Sequence, residues 1–244
     1  MNPPSAAVVK ALTPTGKLRA AINFGNAVLS KEEPSTGAAS GVTVDLSREL
    51  ARLLGVELQL VTFRAAGKVV DAVKDGSVDI AYVAIDPLRA RDLAYTKAYV
   101  IIEGAYMVKQ DSPLQRNEEV DQAKHRVVAA KGSAYDLYLS RELKHAKIEY
   151  AQTSQSVIDH FLATQSEVAA GVKQQLQADA QRLPGLRLLP GRFMAIHQAM
   201  GTPLSHAEAL PYLTQFIEEM KASGFVAQAL QRHGIKGAAV APAE

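Results

Sequence analysis

Arg89 is the side chain of this sequence best equipped for molecular recognition. It stands just past the apolar run Val78 to Ile85, inside the stretch DIAYVAIDPLRARDLAYTKAY that runs from Asp79 to Tyr99. A planar guanidinium offers two parallel N–H donors to a carboxylate, so an arginine at the end of a buried strand reads as an anion-binding loop. A surface ion pair with Asp86 or Asp92 is the competing reading. A second position is Gly132-Ser133-Ala134, after the apolar run Arg126 to Ala130. Backbone N–H groups at a helix start attract anions, and the glycine permits close approach. Ser133 reads equally as an ordinary N-cap, with Asp136 completing a capping-box variant. Lys173 follows the small-residue run Val168 to Val172, and Glu103 lies in Ile101-Ile-Glu-Gly104.

The elements that must position these residues follow from periodicity. Lys17 to Asn23 alternates Leu18, Ala20 and Ile22 against Arg19, Ala21 and Asn23, which predicts a strand. Asp45 to Gly55 sets Leu46, Leu50, Leu53 and Leu54 on one helical face and stops at a glycine. Val56, Leu58 and Leu60 begin a second strand, Val69 to Lys74 a short helix, Asp75-Gly76 a turn, and Val78 to Ile85 a strand apolar enough for a buried parallel sheet. The second half alternates in the same way: strands at Arg126 to Ala130, Ile148 to Ala151 and Val168 to Val172, and helices opening at Ser133, Ser154 and Gln174. Ser205 with Glu208 predicts a capping box before a helix that buries Leu210, Leu213, Phe216, Ile217 and Met220. No internal repeat is strong enough to use.

Three blocks carry a family resemblance: GKLRAAIN at Gly16 to Asn23, GVTVDLSRELARLLGV at Gly41 to Val56, and the D-I-A…R…Y-T-x-A-Y block at Asp79 to Tyr99. In order and spacing the chain resembles the extracellular solute-binding proteins of amino-acid-type ABC transporters, family 3, from about Gly16 to Gly234. The resemblance implies an α/β fold of the periplasmic-binding-protein type II kind, with a ligand cleft between two lobes. Two crossover segments, near Tyr99 to Glu103 and Pro190 to Met194, would join a discontinuous first lobe (1–101 and 193–244) to a second (102–192). It also implies a monomer that takes a small carboxylate-bearing ligand, serves an ABC transporter permease, and needs no cofactor or metal.

In such a protein Arg89 would clamp the ligand carboxylate, and Gly132, Ser133 and Ala134 would complete that site from the other lobe. Phe24 and Asn26 match the region lining the cleft mouth, although Phe24 reads equally as core. Asp86 stands where the family commonly places ligand-binding hydroxyls. At Lys173 amino-acid binders usually carry an aspartate for the α-ammonium, a role a lysine cannot fill. Either the ligand lacks an α-amine or another carboxylate serves it; Glu103 is the substitute, or a plain partner of Lys173.

Composition agrees with a folded domain or two. In 244 residues, 48% are hydrophobic, which excludes a disordered chain. A net charge of +2 supplies no basic field for nucleic acid. No apolar run approaches the roughly 18 residues of a membrane span. There is no cysteine, hence no disulfide, and the six histidines lack metal-ligand spacing. The start, MNPPSAAVVKALTPTG, lacks a signal-peptide pattern, so the expected location is periplasmic if a signal has been removed and otherwise cytoplasmic. No nucleophile-elbow, P-loop or dinucleotide motif is present, so an enzyme is not expected. The alternatives are a cyclohexadienyl/arogenate-dehydratase-like enzyme using Lys173 and Glu103, or a cytoplasmic ligand-sensing domain.

Overall fold

A computed structural model describes residues 3–243. The chain divides into two compact units, Met1–Ile101 with His197–Glu244, and Ile102–Ile196.

In the first unit the strand Lys17–Asn23 is central. It pairs in parallel with Glu57–Phe63, from Lys17 opposite Glu57 to Asn23 opposite Phe63, and on its other side with Ile80–Ala84. The strand Met194–Pro203 then returns antiparallel along Ile80–Ala84, setting Gln198 opposite Ala84 and Gly201 opposite Ala81. Leu18, Ala20 and Ile22 are fully buried, as the alternation predicts. The helix Val42–Leu54 buries Val44, Leu46, Leu50 and Leu54 and ends at Gly55, whose φ of 69° is the left-handed conformation glycine adopts without strain.

One buried carboxylate ties three of these strands together. Asp79 precedes Ile80–Ala84 and is fully buried; its Oδ2 accepts from Arg19 N at 2.8 Å and Nε at 3.1 Å, and its Oδ1 from Arg19 Nη2 at 2.7 Å. Its backbone N–H donates to Arg19 O, and its carbonyl accepts from Thr202 Oγ1 at 2.9 Å.

The second unit repeats the plan. Arg126–Ala130 lies between Lys147–Ala151 and Val168–Val172, parallel to both. Val168–Val172 runs antiparallel to the second half of the long strand Leu93–Lys109, with Gly104 opposite Val172, and Leu186–Leu188 adds to its end. Val127, Val128, Tyr135, Leu139, Phe161 and Leu176 fill the core. Here Glu167, just before the third strand, accepts from Arg126 N at 2.8 Å, Nε at 3.1 Å and Nη2 at 3.0 Å. An arginine on the first strand and an acid at the entry to the third thus recur in each unit.

The C-terminal residues of the first unit are held as well. Ala239–Val240 pairs antiparallel with Val100 and Ile101. The buried Lys221 donates to Ala98 O at 3.2 Å, Pro242 O at 2.8 Å and Glu218 Oε1 at 2.6 Å.

One helix goes unread in the sequence and one capping expectation fails. The helix Ala6–Leu12, capped by Ser5 on Val8 N–H, is missed because seven residues, all apolar but Lys10, are too short and too uniform to show a helical period. Ser205 and Glu208 do not cap: they lie within a 3₁₀ segment, Leu204–Ala209, and the helix Leu210–Ala222 starts behind Ala209 with no side-chain cap. Pro211 in its first turn has the φ a helix start requires, which sets the boundary later than Ser205.

Removing the carboxylate strands a largely buried cation, so Asp79→Ala should destabilise the fold by about 3–5 kcal/mol. Urea unfolding will show it as a lower midpoint at an unchanged slope.

Candidate functional site

The strand Ile80–Ala84 delivers Asp86 and Arg89. Past its end, Asp86 Oδ1 accepts from Leu88 N–H at 2.8 Å and Asp86 O from Ala90 N–H at 2.9 Å, folding the chain into a 3₁₀ turn over Arg89–Arg91. That turn brings Arg89 back over its own strand, where Nη1 donates to Ala84 O at 3.1 Å. Arg89 is 4% exposed and Asp86 3%, so the arginine is not a solvated surface group. Asp92 is paired with Lys74 at 3.4 Å. Beside them burial raises the Tyr95 hydroxyl to about 12, with the Arg89 cation pulling the other way.

Phe24 and Asn26 follow the central strand of the same unit. Phe24 packs with Ile22 and Val44 and donates its amide to Phe63 O at 2.8 Å, so its ring fills core. Asn26 O closes the loop by accepting from Leu29 and Ser30 N–H, and its buried Oδ1 has no partner among the described residues.

In the second unit Gly132-Ser133-Ala134 opens the helix Ala134–Glu142. Gly132 has a φ of 74°, and its N–H donates to Asp136 Oδ2 at 2.7 Å. Ser133 Oγ accepts from Asp136 N–H at 3.1 Å, so the expected capping exchange forms, with Asp136 reaching one residue further back. The Gly132 amide is thereby taken, while Ala134 N–H stands outside these contacts.

Lys173 and Glu103 also meet. Val168–Val172 ends beside Gly104, which places Lys173 Nζ 2.7 Å from Glu103 Oε2. The other oxygen, Oε1, accepts from Arg192 Nη1 at 3.1 Å. Hydrogen bonding from Lys173, then its charge and that of Arg192, hold the Glu103 carboxyl below the usual glutamate range. Sequence reasoning misses Arg192. It reaches Glu103 because Phe193 donates its amide to Gly104 O at 3.0 Å and stacks on Tyr106 with ring centroids 4.3 Å apart; a lone arginine in an irregular segment carries no periodic signal.

Phe24, Asn26, Asp86 and Arg89 therefore belong to the first unit, and Glu103, Gly132, Ser133, Ala134 and Lys173 to the second. Among the described residues no group of His, Asp and Glu is arranged to hold a metal ion. No helix among them is long and apolar enough to cross a membrane.

Residues 25–236 match the profile of the bacterial extracellular solute-binding proteins, family 3. The chain belongs to that family. Solved structures place this solute-binding protein in the two-lobed α/β fold of type II periplasmic binding proteins. A solute receptor for L-cysteine of Neisseria gonorrhoeae is 19% identical, with a TM-score of 0.79 over 92% of each chain. A histidine kinase sensor domain with similarity to periplasmic binding proteins is 17% identical, with a TM-score of 0.79 over 92% of this chain and 98% of that one. An ancestral amino acid-binding protein, a precursor of cyclohexadienyl dehydratase, is 18% identical, with a TM-score of 0.77 over 93% and 99%. At such identities the likeness establishes the fold alone. A comparison with curated proteins returns no match.

The lowered Glu103 pKa sets a pH dependence for this solute-binding protein. A carboxylate with a depressed folded pKa stabilises above its ordinary value of about 4.3, and the contribution is lost as pH falls through the folded value. The melting-temperature gap between wild type and Glu103→Gln should therefore be present at pH 7 and close as pH falls below about 4. A second consequence is local: Ser133→Ala should cost about 1 kcal/mol through loss of the N-cap, measured by chemical denaturation.

Proposed function

We propose that this chain captures a small carboxylate-bearing solute and passes it to an ABC transporter permease, with closure of its two lobes as the recognition step and Arg89 as the main anchor. The observation that carries this reading is the near-complete burial of Arg89 at the end of the strand Ile80–Ala84. A guanidinium is held out of water here and donates to Ala84 O, and its planar fork is the geometry that pairs with a carboxylate in two parallel hydrogen bonds. Family membership supplies the transport setting outside the cytoplasmic membrane. The protein acts as a monomeric binder.

Binding rather than catalysis is favoured by Glu103. An acid–base catalyst working near neutral pH needs a carboxyl shifted upward, whereas Lys173 and Arg192 shift this one down.

Mass spectrometry of solute carried through native purification will identify the ligand class. Calorimetry against that solute should show Arg89→Ala weakening binding by about 2–5 kcal/mol, the range for truncating a buried charge pair. Arg89→Lys should also bind poorly because the fork is lost. An unchanged dissociation constant in Arg89→Ala would overturn the reading.

A further inference from the structure

We propose that the first unit carries a second binding site, separate from the Arg89 anchor, which takes a phosphate monoester of a small organic molecule. The site is a cavity of about 540 Å³ beside the entry end of the strand Lys17–Asn23, and every residue lining it belongs to that unit. Its volume falls in the range of small-molecule sites.

Basic side chains reach this cavity from separate elements. Arg91 ends the 3₁₀ turn Arg89–Arg91 and makes no hydrogen bond or ion pair among the described residues, so its whole fork is available. Arg19 gives Nε and Nη2 to Asp79, which leaves Nη1 uncommitted on a side chain 17% exposed. Lys74 lies 3.4 Å from Asp92, the one acid in the lining. With Asp79 set against Arg19 and Asp92 against Lys74, three cations less two carboxylates leave a net charge of +1, which is that of Arg91.

His206 adds an unmet group. It lines the cavity from the 3₁₀ segment Leu204–Ala209, and its Nδ1 is shut away from water with no partner among the described residues. A buried N–H without an acceptor is the costlier arrangement, so the uncharged ring carries its proton on Nε2 and stands at the wall as a donor.

The donor set selects the head of the ligand. A carboxylate is filled by a single guanidinium fork, whereas the three terminal oxygens of a phosphate monoester can each take a partner. Arg91, Arg19 and His206 come from the turn, the first strand and the 3₁₀ segment, so three donors meet the head from different sides. Val73, Pro203 and Leu204 supply apolar wall in the same cavity, and Leu204 is 50% exposed. That surface suits an organic portion and makes inorganic phosphate alone the poorer fit.

Calorimetry with phenyl phosphate, inorganic phosphate and benzoate tests the proposal on wild type, Arg91→Gln, His206→Ala, Leu204→Asp and Lys17→Gln, each checked for folding by circular dichroism. Wild type should bind phenyl phosphate, and more tightly than inorganic phosphate. Arg91→Gln, His206→Ala and Leu204→Asp should each weaken that binding by about tenfold, the low end for a hydrogen bond to a charged group. Lys17→Gln, which removes a cation paired with Glu57 outside the cavity, should leave it unchanged. No binding of phenyl phosphate by wild type, binding untouched by Arg91→Gln or by His206→Ala, an equal loss in Lys17→Gln, or inorganic phosphate bound as tightly would overturn the proposal. Benzoate binding that falls in the same cavity variants would overturn the phosphate head. Flotation with phosphatidylcholine vesicles containing phosphatidic acid separates the two sources of such a head: no capture is expected, and capture that Arg91→Gln abolishes would overturn the small-molecule assignment in favour of a lipid.

Discussion

The acid–arginine clamp between the first and third strands is the constraint on which the rest of each unit depends. Asp79 grips Arg19 in one and Glu167 grips Arg126 in the other, each acid accepting from the arginine's backbone and side chain. A carboxylate holding an N–H and a guanidinium of one residue tolerates no slippage, and a slip of one residue would turn every side chain to the opposite face. Each clamp sits at the entry of a third strand whose exit leads to the candidate chemistry: Ile80–Ala84 toward Asp86 and Arg89, Val168–Val172 to Lys173. Five extended residues separate the two ends by about 17 Å. The clamp thus fixes where the functional cation emerges without competing for it.

The two candidate regions use charge differently. Arg89 is nearly inaccessible, with its backbone acceptor supplied by its own strand. Its effective dielectric is low, so contact with an anion is strong and loss of a partner costly. The Lys173–Glu103–Arg192 group is half-buried, and its internal carboxylate offsets much of the cost of bringing two cations together. Screening by salt should act on this group more than on Arg89.

How much could be read from sequence follows from which forces are local. Lys17–Asn23, Arg126–Ala130 and Val168–Val172 occur with the bounds that alternation and small-residue runs indicate, because strand burial writes itself into adjacent residues. The helix stop at Gly55 and the cap at Ser133 are likewise short-range. The meeting of Lys173 with Glu103 is foreseeable only as one of two options, and Arg192 not at all, since pairs separated by 70 and 89 positions leave no periodic trace. The recurrence of the arginine clamp is hidden for a related reason. Asp79 and Glu167 differ in side-chain length, Arg19 and Arg126 occupy different positions along their strands, and the shared feature is a geometry rather than a string of letters.

The short strand Ala239–Val240 has a practical side. Its ladder with Val100 and Ile101 and the Lys221 contact to Pro242 O make the last residues of the first unit part of its sheet. Those hydrogen bonds cover an edge that would otherwise be open to pairing with another chain. Protein engineering at this end of the molecule therefore has little latitude: a reporter or affinity handle needs a spacer beyond Pro242, since trimming into residues 239–242 would expose a sticky strand and leave a buried ammonium one acceptor short.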